Sequence, residues 1–172
     1  LGAQIYKSQQ EKVLKYIKIG LEEGGELVTG GERYTENGCD KGFFLKPTIL
    51  ISKTNAARVC QEEIFGPILP VLTFNNFNEA LLKISEKEKP LAAYLFTNNS
   101  EEKESFTSKI SFGGGCINDV VMHLSNENLP FGGVGNSGIG NYHGKFGFET
   151  FSHQKSVLER VTWGESDIKY PP

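Results

Sequence analysis

The sequence lacks long apolar runs and has no strong excess of charge of either sign. Its longest uninterrupted apolar stretches, such as LAAYLF at residues 91–96, are far shorter than the roughly 20 residues that span a bilayer. Residues 1–10 also lack a basic segment followed by an apolar one. Acids and bases are interspersed and the formal net charge is −3, so no field draws the chain to nucleic acid. We therefore expect a cytoplasmic protein with neither nucleic acid nor a membrane as partner.

Cysteine is scarce. The three cysteines are Cys39, Cys60 and Cys116, and no CxxC pair occurs. An odd, widely spaced set argues against a disulfide framework and suits a reducing compartment. None of the three has a base beside it in the sequence that would activate its thiol, so we assign none of them a catalytic role.

Histidine is equally sparse. His123, His143 and His153 are too far apart in the sequence for a local metal motif, and no cysteine or acid joins them at ligand spacing. We therefore expect no metal site.

The hydrophobic content is sufficient for a folded core. Of the 172 residues, 38% are hydrophobic and 12 are Phe, which suits one ordinary domain or a large piece of a bigger one. Periodicity predicts helices over residues 9–23, 76–87 and 100–110, and strands over 26–31, 43–52, 68–74, 91–97, 113–119 and 155–161. Asn76 or Asn78 is a candidate cap for the second helix and Ser100 for the third. The strand and helix order over 68–118 predicts parallel strands in an α/β architecture.

Glycine is concentrated in LPFGGVGNSGIGNYHGKFGF, residues 129–148. Such a density predicts a loop packed closely against a ligand or a neighbouring domain. Gly133, Gly135 and Gly138 form a literal GxGxxG, but neither a buried strand before it nor an uninterrupted helix after it is predicted, so we reject a dinucleotide fingerprint. Ser137 does not fit a nucleophile elbow and is interpreted as a structural loop serine.

The segment QEEIFGP, residues 61–67, changes abruptly from polar to apolar. Two adjacent acids lead into Ile64 and Phe65, and a Gly-Pro turn signal closes the run. This pattern would hold either Glu62 or Glu63 at the mouth of an apolar slot.

Taken together, QEEIFGP and PFGGVGNSG at residues 130–138 resemble the hallmark segments of the NAD(P)-dependent aldehyde dehydrogenase superfamily. The resemblance covers essentially the whole chain. The second half is most similar to the class 3, fatty-aldehyde-like branch, whereas the first half is more similar to the class 1 and 2 or betaine-aldehyde branch.

The resemblance implies an α/β fold, namely an aldehyde-dehydrogenase-like catalytic domain fragment with a mostly parallel sheet flanked by helices. Residues 1–153 would be the C-terminal part of that catalytic domain. Residues 154–172 would be a C-terminal strand and tail that serve oligomerisation, so a homo-oligomer is expected.

Three site residues follow from the resemblance. Glu63 would accept hydrogen bonds from the nicotinamide ribose hydroxyls, and Phe65 would lie beside the nicotinamide of NAD or NADP. Phe131 would line the tunnel through which the aldehyde substrate enters. The alternatives are that Glu63 is a surface strand acid and that Phe131 is a core residue anchoring the glycine loop.

The resemblance also implies what this sequence does not contain. The family's nucleophilic cysteine, its oxyanion and water-activating groups and its dinucleotide-binding domain would all precede Leu1. We therefore expect no catalytic residue here and no turnover by the isolated chain. The alternative function is a non-catalytic, stand-alone binding or assembly domain derived from the family.

Overall fold

The computed structural model describes residues 2–164. The chain divides into two compact units, Leu1–Asn75 and Asn76–Pro172, and each is described by itself. None of the helices in the described part of the chain is long and apolar enough to cross a bilayer.

The first unit contains two α-helices and a three-stranded sheet. In chain order its elements are helix α1 (Lys7–Glu22), strand β1 (Glu26–Thr29), strand β2 (Thr48–Ile51), helix α2 (Arg58–Gln61) and strand β3 (Ile68–Val71). Strand β2 is central, antiparallel to β1 and parallel to β3.

The core of the first unit lies between α1 and β2. Val13 on α1 and Leu50 on β2 are both fully buried. Gly20 lets the helix approach the strand, because a Cβ at this position would lie only 2.4 Å from Leu50 Cδ2. The apolar face of α1 thus covers the sheet, as its helical spacing predicts.

The second unit contains a parallel strand pair connected by a helix. Its elements are helix α3 (Phe77–Ser85), strand β4 (Ala92–Leu95), helix α4 (Ser100–Lys109), strand β5 (Gly114–Ile117) and helix α5 (Gly144–Thr150). Strands β4 and β5 pair in parallel, which requires a crossover such as α4. The buried core of this unit consists of Leu81, Phe106 and Ile110.

Most predicted elements are confirmed, with shorter bounds. Asn76 caps α3, since its side chain accepts a hydrogen bond from the Glu79 N–H at 3.0 Å. The cap of α4 was predicted wrongly, because Asn99 rather than Ser100 accepts the N–H of Glu101, at 2.9 Å. Helices α2 and α5 were not predicted. Helix α5 begins at Gly144 and contains Gly147. Both glycines lower the helix propensity of this segment, so its sequence does not predict a helix.

The strand predicted over residues 155–161 is wrong. These residues form neither helix nor strand, and all of them are exposed. A strand needs a neighbour to accept and donate its backbone hydrogen bonds, and within residues 2–164 no strand pairs with this segment. The part of the predicted tail beyond residue 164 lies outside the described residues.

Candidate functional site

The QEEIFGP segment forms a loop, residues 62–66, that is fastened to helix α1. The side-chain amide of Gln9 donates hydrogen bonds to the carbonyl oxygen of Phe65 at 2.7 Å and to that of Ile64 at 3.3 Å. These bonds support an unusual backbone, since Phe65 has φ +57°, in the left-handed region that favours glycine. The Phe65 side chain is nevertheless 79% exposed. The loop therefore presents an aromatic ring to the outside on a fixed backbone.

One turn further along α1, the loop backbone is pressed against the helix. Val13 is fully buried, and a Cβ added to Gly66 would lie 2.4 Å from its Cγ2 atom. Only glycine fits at this position without displacing Val13. The glycine in the motif thus permits close approach between the loop and the helix.

Glu62 is held by two neighbours. Arg58 donates from Nε to Oε1 at 2.8 Å and from a terminal nitrogen to Oε2 at 3.2 Å, and the hydroxyl of Tyr16 donates to Oε2. Hydrogen bonds from Arg58 and then from Tyr16 lower the pKa of Glu62 to about 2. The same carboxylate raises the pKa of Tyr16 above its usual value. Glu62 is therefore an ionised acid that is already paired within the protein.

Glu63 differs from its neighbour. It is exposed, and no hydrogen bond or ion pair within residues 2–164 engages its carboxylate. The backbone at Glu62 is extended, with φ −112° and ψ 142°, so successive side chains point to opposite sides. Ile64 is 7% exposed and lies in the core. Both acids are exposed and only Ile64 of the loop is buried. The two acids therefore differ in their partners: Arg58 and Tyr16 engage the carboxylate of Glu62, which is 42% exposed, whereas Glu63 and Phe65 face outward.

In the second unit, Phe131 lies in a cluster of aromatic rings. Its backbone exchanges two hydrogen bonds of 2.9 Å with Tyr142. Its ring stacks on His143, with centroids 5.8 Å apart, and meets the edge of Tyr142 at 5.4 Å. Phe131 is half-buried, so part of the ring can still contact a small molecule. Its contacts leave both sequence interpretations open, a tunnel wall and a loop anchor.

The structure also places a cysteine beside a histidine. Cys116 Sγ lies 3.7 Å from His123 Nδ1. His123 is only 7% exposed, and its Nε2 is buried with no hydrogen-bond partner among the described residues. The expectation that no cysteine has a neighbouring base is therefore wrong for Cys116. Local sequence contains no signal for this contact, because His123 returns to Cys116 only through the short helical turn Met122–Leu124 that follows β5.

The glycine-rich segment folds upon itself. Ser137 Oγ accepts a hydrogen bond from the Val134 N–H at 2.9 Å and donates to the Val134 carbonyl at 3.0 Å. A Cβ at Gly133 would lie 2.1 Å from the Ser137 carbonyl oxygen. These two bonds support the interpretation of Ser137 as a structural loop serine. The glycines fit the backbone of their own loop, and the short 3₁₀ turn at Gly135–Ser137 is unlike the helix start of a dinucleotide fingerprint.

Two further features concern metals and thiols. Within residues 2–164 no three His, Cys, Asp or Glu side chains lie close enough together to hold a metal ion. None of the three cysteines forms a disulfide within the described residues. Of the predicted site residues, Glu63 and Phe65 lie together on one loop of the first unit, and Phe131 lies in the second unit.

Comparison with known proteins provides the family. Residues 1–157 match the Aldehyde dehydrogenase family. The chain is 50% identical over 161 residues to aldehyde dehydrogenase family 3 member I1, chloroplastic, of Arabidopsis thaliana, covering 92% of this chain and 28% of that protein.

Two solved structures share the fold. The substrate-bound state of Staphylococcus aureus AldH superposes with a TM-score of 0.84 at 38% identity, over 99% of this chain and 36% of that one. A Mycobacterium tuberculosis aldehyde dehydrogenase complexed with NAD⁺ gives a TM-score of 0.85 at 34% identity, over 96% of this chain and 33% of that one. The chain thus spans about a third of the length of these relatives. The α/β architecture is confirmed, with two small sheets within residues 2–164 in which two of the three strand pairings are parallel. The chain belongs to the aldehyde dehydrogenase family.

Proposed function

We propose that this chain forms part of an aldehyde dehydrogenase, which oxidises an aldehyde to a carboxylic acid with NAD or NADP. Its first unit would contribute residues to the cofactor pocket, and its second unit would contribute a residue to the substrate pocket. The nucleophilic cysteine and the dinucleotide-binding domain belong to the other two-thirds of a family-length enzyme. The observation that carries this proposal is the outward-facing pair of Glu63 and Phe65 on a loop fixed to α1.

The chemistry of this pair fits a nicotinamide nucleotide. A carboxylate accepts hydrogen bonds from two hydroxyl groups at once, as the vicinal hydroxyls of a ribose require. The exposed ring of Phe65 offers a flat apolar surface that confines a planar ring without competing hydrogen bonds. When bound, the nicotinamide accepts a hydride from the substrate. Glu63 and Phe65 would bind and orient its ribose and ring.

Phe131 would supply the aldehyde side of the site. Its half-buried ring is supported by His143 and Tyr142, so its position is defined while one part remains available to an apolar substrate.

The test uses a family-length enzyme that contains this chain. Glu63→Gln keeps an acceptor oxygen but loses the charge, and its new amide donor faces hydroxyls that donate. Charge-assisted hydrogen bonds contribute ~1.5–3 kcal/mol, so NAD or NADP affinity should fall roughly ten- to a hundred-fold. Glu26→Gln is the matched control, because Glu26 is another exposed acid of the first unit and lies on β1. Equal affinities for the two variants would refute the cofactor role of Glu63.

Assembly is the second part of the proposal. We place residues 1–153 in the catalytic domain and assign residues 154–172 to contacts between copies of a homo-oligomer. Support comes from exposed apolar side chains before residue 164, with Leu158 at 93% and Trp163 at 77% exposed, since such surfaces associate. Leu158→Lys should weaken association measured by light scattering, whereas Lys155→Glu in the same segment should change it less.

The alternative, a stand-alone binding or assembly domain, draws support from the two units, each of which has its own buried cluster. The mass of the native polypeptide distinguishes the two functions. A mass near 50 kDa supports the enzyme, since a family-length chain needs about three domains' worth of residues. A native mass of 19.0 kDa supports the alternative.

A further inference from the structure

We propose that Tyr16 and Glu62 are positioning residues that hold the 62–66 loop in its binding conformation before the cofactor arrives. The inference rests on the proposed function, because it assigns a purpose to the contacts behind Glu63 and Phe65. Neither Tyr16 nor Glu62 would touch the cofactor. Their effect would reach it through the backbone of the loop.

The first observation is the arrangement of contacts on α1. Gln9, Val13 and Tyr16 are spaced at i, i+4 and i+7, so they share one face of the helix. Gln9 binds the backbone at Phe65, Val13 packs at Gly66 and Tyr16 binds Glu62. One rigid helix thus holds both ends of the loop.

The second observation is that the loop needs such support. Phe65 has φ +57°, a conformation that non-glycine residues adopt only at an energetic cost, and such outliers persist where surrounding contacts determine the backbone. Its side chain is 79% exposed and so contributes little burial to offset the cost. The bonds from Gln9 and Tyr16 on either side of Ile64 supply the restraint.

The third observation is the division of charge between the two acids. Arg58 and Tyr16 together satisfy the carboxylate of Glu62, and Arg58 is held in turn through its backbone N–H, which donates to Glu23 at 2.8 Å. Lys12 also lies over the Tyr16 ring, 5.8 Å from its centroid. Glu62 therefore cannot turn outward to compete with Glu63 for the ribose hydroxyls without breaking these bonds. The network selects which of two adjacent acids faces outward.

The experiment removes one hydroxyl in the family-length enzyme. Tyr16→Phe keeps the buried ring and deletes the bond to Glu62. The matched control is Tyr34→Phe, which deletes a hydroxyl in the same unit that accepts from Asn37 at 2.8 Å and does not contact the loop. Two quantities are measured, the NAD or NADP dissociation constant by calorimetry and amide hydrogen exchange of residues 62–66 without cofactor.

We expect Tyr16→Phe to weaken cofactor binding by roughly three- to ten-fold, as the loss of one such hydrogen bond predicts. Exchange at residues 62–66 should accelerate several-fold, and Tyr34→Phe should change neither quantity. Glu62→Gln keeps an acceptor for Tyr16, so it should weaken binding less than about three-fold, whereas Glu62→Ala should weaken it at least as much as Tyr16→Phe. The comparison of Glu62→Gln with Glu62→Ala tests the inference even if Tyr16→Phe does not fold.

The possible results distinguish a failure of the positioning role of Tyr16 and Glu62 from a failure of the proposed function. If Glu63→Gln weakens binding while Tyr16→Phe and Glu62→Ala change neither binding nor exchange, the positioning role is wrong and the proposed function stands. If Tyr16→Phe lowers the melting temperature but leaves cofactor binding and amide hydrogen exchange unchanged, Tyr16 stabilises the fold and does not position the loop. If Glu63→Gln has no effect, the proposed function fails and the positioning role fails with it.

Discussion

The hydroxyl of Tyr16 donates a hydrogen bond to the carboxylate of Glu62, 46 positions further along the chain. The contact joins the middle of helix α1 to the beginning of the 62–66 loop. Arg58 also donates hydrogen bonds to this carboxylate, so both oxygens of Glu62 are bonded within the protein. No residue within 2–164 bonds to the carboxylate of Glu63. Two acids that are adjacent and identical in the sequence therefore have different contacts.

The first prediction concerns acid stability. The pKa of Glu62 is lowered to about 2 from an ordinary value of 4.5, so its ionised form stabilises the folded state. This stabilisation is fully present above about pH 4.5 and is lost as the pH falls towards 2. Unfolding free energies measured by denaturant titration from pH 6 to pH 2 should fall less steeply in Glu62→Gln than in the parent protein.

The pair of Glu62 and Arg58 is half-exposed, so added salt should reduce this difference. Glu26→Gln is the control, because Glu26 is exposed on β1 and lies outside the network. Parallel pH profiles for the parent protein and Glu62→Gln would contradict the pairing.

The second prediction concerns the close approach of the loop to α1. Gly66→Ala places a methyl group 2.4 Å from Val13 Cγ2 and should destabilise the protein by about 1–3 kcal/mol through overpacking. Val13→Ala removes the obstructing methyl groups. Because the two residues are in contact, the double variant should be more stable than the sum of the single effects predicts. Strict additivity in thermal or chemical unfolding would show that Gly66 is required for another reason.

The third prediction distinguishes the two interpretations of Phe131. In the family-length enzyme, Phe131→Leu should raise the KM for an apolar aldehyde several-fold and leave the dissociation constant of the cofactor unchanged. Phe106→Leu serves as the core control, because Phe106 is 4% exposed and stacks on Phe112. It should lower the melting temperature with little change in KM. If Phe131→Leu behaves like Phe106→Leu, Phe131 anchors the loop and does not line the tunnel.

The fourth prediction concerns Ser137. Its hydroxyl both accepts from and donates to the backbone of Val134. Ser137→Ala should therefore cost about 0.5–1.5 kcal/mol of stability and reduce kcat by less than a factor of about three in the family-length enzyme. A loss of a hundred-fold or more with an unchanged melting temperature would instead mark Ser137 as a reacting group.

The fifth prediction concerns the isolated chain. Purified residues 1–172 should show no aldehyde-dependent reduction of NAD or NADP, because positioning groups alone do not supply a nucleophile and a cofactor-binding domain. The measurement is absorbance of the reduced nicotinamide over time. Cys116 is the cysteine beside His123. Turnover that disappears when Cys116 is replaced would contradict the proposal that the nucleophilic cysteine lies in the rest of the family-length enzyme.

Local sequence patterns were sufficient for several elements. The apolar spacing of Val13 and Ile17 predicted α1, whose buried face includes both residues. Asn76 or Asn78 was predicted as a cap because a short polar side chain can reach the N–H three residues ahead, and Asn76 is the residue that does so. Helix periodicity and capping depend on residues within one or two helical turns of each other, so a short stretch of sequence is enough to predict them. The motifs QEEIFGP and PFGGVGNSG likewise pointed to the family.

Pairings between distant residues could not be predicted in the same way. The predicted strand at 155–161 has the composition of a strand but no partner among the described strands. Cys116 and His123 meet only because the chain turns back after β5, where Val121 has φ +67°. Strand pairing and side-chain contact depend on where other segments lie, and local composition does not contain that information.

The sequence by itself therefore determined the family, the main helices and the place of two adjacent acids before an aromatic residue. Only the tertiary structure decided that Glu62 is the acid held by α1, because Tyr16 reaches it from 46 positions earlier in the chain, whereas Arg58 is a local neighbour four residues before it. Alternation along an extended backbone fixes that the two acids face opposite sides. Which side faces the protein is set by the packing of the loop against a helix that begins more than 50 residues earlier.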